Sequence, residues 1–157
     1  MCSSDLLEDR VIVVTGAAQG VGRGVAQKAA ALGATLALID INEEGAQETA
    51  ALIGGNTTVH AGSVADAAFV QDAIAAIVEK HGRINGLFNN AGIIRTAMIH
   101  KMAVADWQAV IDVNLTGVFL CLQAVGRHMI ERAKDGDDAP RRIVNVSSIA
   151  GRRGTIG

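Results

Sequence analysis

The segment that most constrains this chain begins at residue 11. Val11-Ile12-Val13-Val14 is a short, unbroken, β-branched run, and Thr15-Gly16-Ala17-Ala18-Gln19-Gly20-Val21-Gly22 follows it directly. A continuous apolar run suits a strand buried on both faces of a parallel sheet. The next stretch, 21–32, reads as a helix that stops at Gly33. Glycines placed between a strand and a helix do backbone work. Gly16 permits the tight turn out of the strand. Gly20 removes a Cβ where a pyrophosphate would approach. Gly22 allows close packing of the helix. Gln19 and Val21 lie in the same loop, and the helix start offers unpaired N–H groups to phosphate oxygens. An ordinary glycine-rich turn is the competing reading, and the strand-before, helix-after context weighs against it.

The pattern then repeats. Strands are expected at 36–39, 57–61, 84–88 and 143–146. Helices are expected at 43–53, 66–80, 103–112 and 115–133, with Asn42 capping the first of these and Asn114 at the junction of the last two. Alternating strands and helices predict an α/β, Rossmann-like, doubly wound parallel sheet in three αβα layers. Residues 1–157 read as a single NAD(P)-binding domain; the family resemblance described below implies that it is truncated after its fifth strand and incomplete at its C-terminus. Within the opening Met1-Cys2-Ser3-Ser4-Asp5-Leu6, the Cys-Ser-Ser-Asp-Leu string is what one frame of a common sequencing adapter encodes, so residues 1–6 are read as artefactual.

Asp40 ends the second strand, with Ile41 beside it. A carboxylate there accepts hydrogen bonds from the adenosine ribose hydroxyls and repels a 2′-phosphate. Its bland reading is a turn or helix-capping aspartate. No lysine or arginine adjoins it, and Gln19 stands where a base could have met that phosphate. NAD is therefore expected in preference to NADP.

Composition narrows the partners. A formal charge of -2 implies no basic face, so no nucleic acid is expected. No uninterrupted apolar run approaches the roughly 20 residues that span a bilayer, so no membrane partner is expected. Two cysteines make neither a disulfide framework nor a zinc site, and a cytoplasmic setting is the expectation. No metal ligands are assigned; His60, His81, His100 and His128 read as solvated or helix-terminal, and Cys121 as core.

Four motifs in order resemble the short-chain dehydrogenase/reductase family. They are the glycine loop, Asn89-Asn90-Ala91-Gly92, Val113-Asn114-Leu115-Thr116-Gly117 and Ile143-Val144-Asn145-Val146-Ser147-Ser148. Gly92-Ile93-Ile94-Arg95, Met102, Trp107 and the closing stretch 151–157 look closest to its 3-oxoacyl-[acyl-carrier-protein] reductase branch. The resemblance implies an NAD(P)-dependent oxidoreductase that interconverts a ketone and a secondary alcohol, 3-oxoacyl reduction included. It implies that Asn90, Ala91, Gly92 and Val113 line the cofactor, with Ser63 and Val64 beside the adenine. Ser63 departs from the family's usual aspartate. Ser148 would orient the substrate oxygen and Asn114 would hold a proton-relay water. Blander readings stand beside these: Asn89 and Asn90 as strand-stabilising amides, Ser148 as a turn serine, Asn114 as a kink between two helices.

The family's acid/base pair, Tyr-x-x-x-Lys, would fall beyond Gly157, and the chain has no tyrosine. The 157-residue chain is therefore expected to bind the cofactor without turnover. The complete protein is expected to act on a small carbonyl or alcohol substrate as a homodimer or homotetramer. Without later elements, an apolar stripe including Phe119, Leu122 and Val125 is expected to stay partly exposed. The alternative is a non-catalytic dinucleotide-binding module or pseudoenzyme, which would need neither Asn114 nor Ser148.

Overall fold

In the computed structural model the described residues are 6–151. The 1–5 part of the suspected artefact and the 152–157 part of the branch resemblance lie outside them. Five parallel strands form one sheet: β1 (Val11–Thr15), β2 (Thr35–Asp40), β3 (Thr58–Ala61), β4 (Gly86–Asn89) and β5 (Arg142–Asn145). Their order is β3-β2-β1-β4-β5. The chain winds outward from β1 to β3, then crosses over to β4 on the other side of β1. That reversal opens a crevice at the C-terminal ends of β1 and β4.

Side-chain alternation along the strands divides the core in two. Val14, Leu36 and Leu38 face α1 (Gly20–Ala31) and α2 (Glu43–Ile53), meeting Ala26, Ala29, Ala50 and Ile53. Val13, Ile39 and Leu87 face the opposite layer, meeting Ile74 and Ile77 of α3 (Ala67–His81) and Cys121, Val125 and Met129 of α5 (Val118–Lys134). Leu36, Leu38 and Ile39 are fully buried, each contributing about 1.5–3 kcal/mol of apolar transfer. The αβα layering is the one expected from the sequence.

Capping explains where the helices begin. The Asn42 side chain accepts from the Gly45 N–H at 3.1 Å. Asp66 accepts from the N–H groups of Ala68 and Phe69 at 2.9 and 3.2 Å, and Gly82 ends α3 at a φ of 73°. Strand ends move by a residue or two. β4 begins at Gly86 because Asn85 serves as a bracket: its N–H donates to the Val11 carbonyl and its Oδ1 accepts from the Val11 N–H.

Three expectations are corrected. Asn114 does not separate two helices. α4 (Val104–Ile111), a π-helical turn (Asp112–Gly117) and α5 form one continuous 31-residue helix. This helix is also long and apolar enough to cross a membrane, with a mean hydropathy of 1.6 over 18 residues. Asp112, Asn114 and Gln123 interrupt any strict apolar run but scarcely lower a window average. Cys121, Val125 and Met129 of its α5 part pack on the sheet, while α4 has no buried residue. Finally, Val125 is fully buried, while Phe119 and Leu122 are 53% and 37% exposed. Val125 lies on the sheet-facing stripe, one turn from Cys121 and Met129; the other two lie outside that stripe.

Cys121 is core as expected, and burial pushes its thiol pKa up to about 11. His81 ends α3. His128 is not a solvated residue: its Nε2 accepts from the Ile84 N–H at 3.2 Å. Only a neutral imidazole offers that lone pair. Burial, followed by the Arg132 charge, lowers the His128 pKa below 6.5. The unfolded chain therefore takes up a proton first as pH falls, so native stability declines below the unfolded value of about 6.5. Chemical denaturation of His128→Gln, which keeps an acceptor that does not titrate, should show a shallower decline from pH 7 to 5. An unchanged decline would assign it elsewhere, for instance to His60 and His81, whose pKa values burial also lowers.

The outer face of α4–α5 carries exposed Trp107, Leu115, Phe119 and Ile130, and β5 presents Val144 on a sheet edge with no neighbour among the described residues. Such surface drives association. Analytical ultracentrifugation of the 157-residue chain should show concentration-dependent oligomers; a monodisperse, cooperatively melting monomer would contradict this.

Candidate functional site

A cleft of about 610 Å³ opens at the C-terminal ends of the central strands. It is lined by Gly16, Gln19, Gly20 and Val21 after β1, Asp40 and Ile41 after β2, and Ser63 and Val64 after β3. Asn90, Ala91, Gly92 and Val113 complete it. Of the cofactor residues read from the sequence, only Gly22 does not line it.

Gly22 acts from behind. A Cβ built on it would stand 2.0 Å from the Gly16 carbonyl oxygen and 2.8 Å from the Asn90 side chain. The close packing expected of Gly22 is thus against the turn and the β4 loop. Gly16 and Gly20 have φ of 66° and 56°, left-handed values that favour glycine. A Cβ on Gly20 would point into open space, so its backbone faces the cleft unobstructed. No side chain caps α1, leaving its first-turn N–H groups for an anion.

Beneath the loop lies a hydrogen-bonded floor. The buried Thr15 hydroxyl accepts from the N–H groups of Asn90 and Ala91, each at 3.0 Å. The Asn90 amide donates to the carbonyls of Thr15 and Gly16, both at 3.2 Å. Asn90 therefore joins β1 to β4 and also lines the cleft. Asn89 does not line the cleft; its amide donates to Asn145 Oδ1 of β5 at 3.0 Å and reaches the Val118 carbonyl of α5 at 3.4 Å.

Asp40 is held in place. Its Oδ2 accepts from the Ala18 N–H and its Oδ1 from the Asn42 N–H, each at 2.9 Å. It is a turn aspartate, yet each oxygen keeps lone-pair capacity toward the cleft. Ser63 Oγ accepts from the Ala65 N–H at 3.2 Å. Val64 is buried; a Cβ on Gly117 would strike its side chain at 2.7 Å.

Asn114 reaches from the π-helical turn to the β4 loop. It accepts from the Ile93 N–H at 2.8 Å and donates to the Ile93 carbonyl at 2.9 Å. The wider turn accommodates an asparagine whose side chain bonds away from its own helix. Ser148 follows β5 and is exposed; its Oγ accepts from the Ala150 N–H at 3.1 Å. Among the described residues it is a turn serine and does not line the cleft. Arg95, at the cleft's other end, was not read as a site residue. Among the described residues it is the only cation lining the cleft, and it stands 3.8 Å from exposed Asp106.

A family model described as short chain dehydrogenase matches residues 10–157. The chain belongs to the short-chain dehydrogenase family. It is 44% identical over 147 residues to a D-threitol dehydrogenase of Mycolicibacterium smegmatis, covering 92% of this chain and 54% of that one. It is 39% identical over 155 residues to a 3-oxoacyl-[acyl-carrier-protein] reductase of Synechocystis, covering 96% and 60%. Among solved structures, levodione reductase superposes with a TM-score of 0.88 at 34% identity, over 95% of this chain and 58% of that one. NAD+-bound xylitol dehydrogenase does so with 0.88 at 31%, over 96% and 57%. The chain thus spans little more than half the length of these relatives.

The geometry separates two kinds of glycine. Gly22→Ala forces a Cβ into the Gly16 carbonyl, whereas a Cβ on Gly24, one residue beyond Arg23 on α1, meets nothing within 4 Å. Thermal melts with and without NAD should show Gly24→Ala as neutral or stabilised by about 0.5–1 kcal/mol. Gly22→Ala should lose the ligand-induced shift. Equal behaviour of the two would refute the close-approach account.

Proposed function

We propose that the complete protein is an NAD-preferring oxidoreductase interconverting a ketone and a secondary alcohol. The observation that carries the NAD preference is Asp40, pinned through the Ala18 and Asn42 N–H groups at the edge of the cleft. Its charge suits ribose hydroxyls and opposes a 2′-phosphate. NAD, when bound, supplies the hydride acceptor. The chain's own residues then have distinct tasks. Gly16, Gln19, Gly20 and Val21 receive the pyrophosphate at the start of α1. Asp40 and Ile41 hold the ribose side, Ser63 and Val64 the adenine side. Asn90, Ala91 and Gly92 line the adenosine and ribose side of the cofactor, and Val113 lines the same cleft.

Asn114 and Ser148 are proposed as the catalytic residues in this part of the protein. Asn114 braces the β4 loop and serves the proton path. The Ser148 hydroxyl donates to negative charge developing on the substrate oxygen; its turn contact uses Oγ only as acceptor and leaves that O–H free. Presence of both favours an enzyme over a purely binding module. The substrate class divides between 3-oxoacyl thioesters and small polyols, the classes named for the two relatives above.

Steady-state kinetics of the full-length protein with both substrate classes and both cofactors test this reading. NAD should be preferred. Asp40→Ala should erode that preference by about ten- to a hundredfold, the worth of one or two charge-assisted hydrogen bonds. NADP preference in the unmodified protein, or no nicotinamide-dependent turnover, would refute it. The 157-residue chain should bind NAD without turnover.

A further inference from the structure

Arg23 directly follows the last glycine of the loop, on α1, but its guanidinium reaches across to α2. Nε donates to Thr49 Oγ1 at 2.9 Å. Nη2 lies among three acceptors: the Ala18 carbonyl, the Gly45 carbonyl at 3.2 Å and the Glu48 carboxylate at 3.0 Å. Thr49 is fully buried, and its hydroxyl is within reach of the Ala17 carbonyl at 2.9 Å and the Gly45 carbonyl at 3.0 Å. Gly45 keeps this contact tight, because a Cβ there would stand 2.9 Å from Ala18 Cβ.

Ala17 and Ala18 have no side chains that could anchor their own loop. Their carbonyls are anchored instead by Thr49 of α2 and by Arg23, whose guanidinium is itself held on α2. From the other side, the Ala18 N–H is held by Asp40. In a trans peptide the C=O and N–H point in opposite directions. With the Ala18 carbonyl turned back onto Arg23, the N–H of the same peptide, which belongs to the cleft-lining Gln19, points away from Arg23. The clamp thus keeps carbonyl oxygens, which would repel a phosphate, on the far side of the loop.

We propose that Arg23, acting with Thr49, is a positioning residue that sets the phosphate-facing orientation of the Ala17–Ala18–Gln19 backbone. It thereby governs affinity for the diphosphate part of the dinucleotide. This rests on the dinucleotide reading of the cleft given above. Charge alone does not suffice: a lysine has no planar fork with which to bond Thr49 and the Ala18 carbonyl together.

Equilibrium titrations of the chain with ADP-ribose and with adenosine test the proposal. Arg23→Met and Arg23→Lys should each weaken ADP-ribose about tenfold, the worth of one charge-assisted hydrogen bond. Adenosine, held mainly by the Asp40 and Val64 walls, should weaken by no more than about twofold on the same scale. A partly misfolded variant would lower both affinities alike, so the split between ligands separates positioning from stability. If Arg23→Met does not fold, Thr49→Val, nearly isosteric and without the hydroxyl, should give the same split. Unchanged ADP-ribose binding, a uniform loss for both ligands, or full rescue by lysine would overturn the proposal. Failure of the unmodified chain to bind either ligand would instead refute the dinucleotide reading beneath it.

Discussion

The approach of α1 to the turn after β1 is the contact on which the rest of the site depends. Gly22 lets the first turn of the helix lie against the Gly16 carbonyl, where no side chain fits. That contact brings the uncapped N–H groups of α1 to the mouth of the crevice created by the β3-to-β4 crossover. A sheet of this order has a crevice there in any case. Gly16 and Gly20 decide that backbone, and not side chain, faces it at the start of α1.

Around this contact, several polar groups of the loop are tied to other elements. Thr15 and Asn90 hold β1 to β4, Asp40 draws the loop toward β2, and Arg23 with Thr49 holds it to α2. The loop is thus ordered before a ligand arrives, and less entropy is left to lose on binding. Residues read first as ligand contacts turn out to have two tasks. Asp40 fixes the loop and faces the cleft, and Asn90 joins two strands and lines it. For a half-buried amide or carboxylate such as these, satisfying the fold is a condition of serving the site.

The layering, the helix starts at Asn42 and Asp66, and the glycine loop were legible because they depend on local signals: apolar periodicity, capping chemistry and positive φ. What escaped depends on tertiary partners. A mid-helix asparagine reads as a break, and only the Ile93 backbone across the cleft makes Asn114 part of a π-helical turn instead. Val125 shares its apolar character with Phe119 and Leu122, and only the direction of the sheet separates it from them. Arg23 looks like an ordinary exposed helix cation until α2 is placed beside it. The one cue in the sequence was a base set among small residues directly after the third glycine. Ser148 is a turn serine among the described residues, so the catalytic role proposed for it comes from the family resemblance and not from geometry.

The most direct measurement of the central claim is an NMR titration of the isotope-labelled chain with NAD+, followed residue by residue at the backbone amides. The account predicts the largest shifts at Gly16, Gly20, Val21, Asp40, Val64 and Ala91, the residues around the crevice. The chain has a second groove of about 500 Å³ between α3 and α5, lined by Val70, Ile74, Ala124 and His128. Shifts confined to that groove, or no shifts at saturating NAD+, would contradict it.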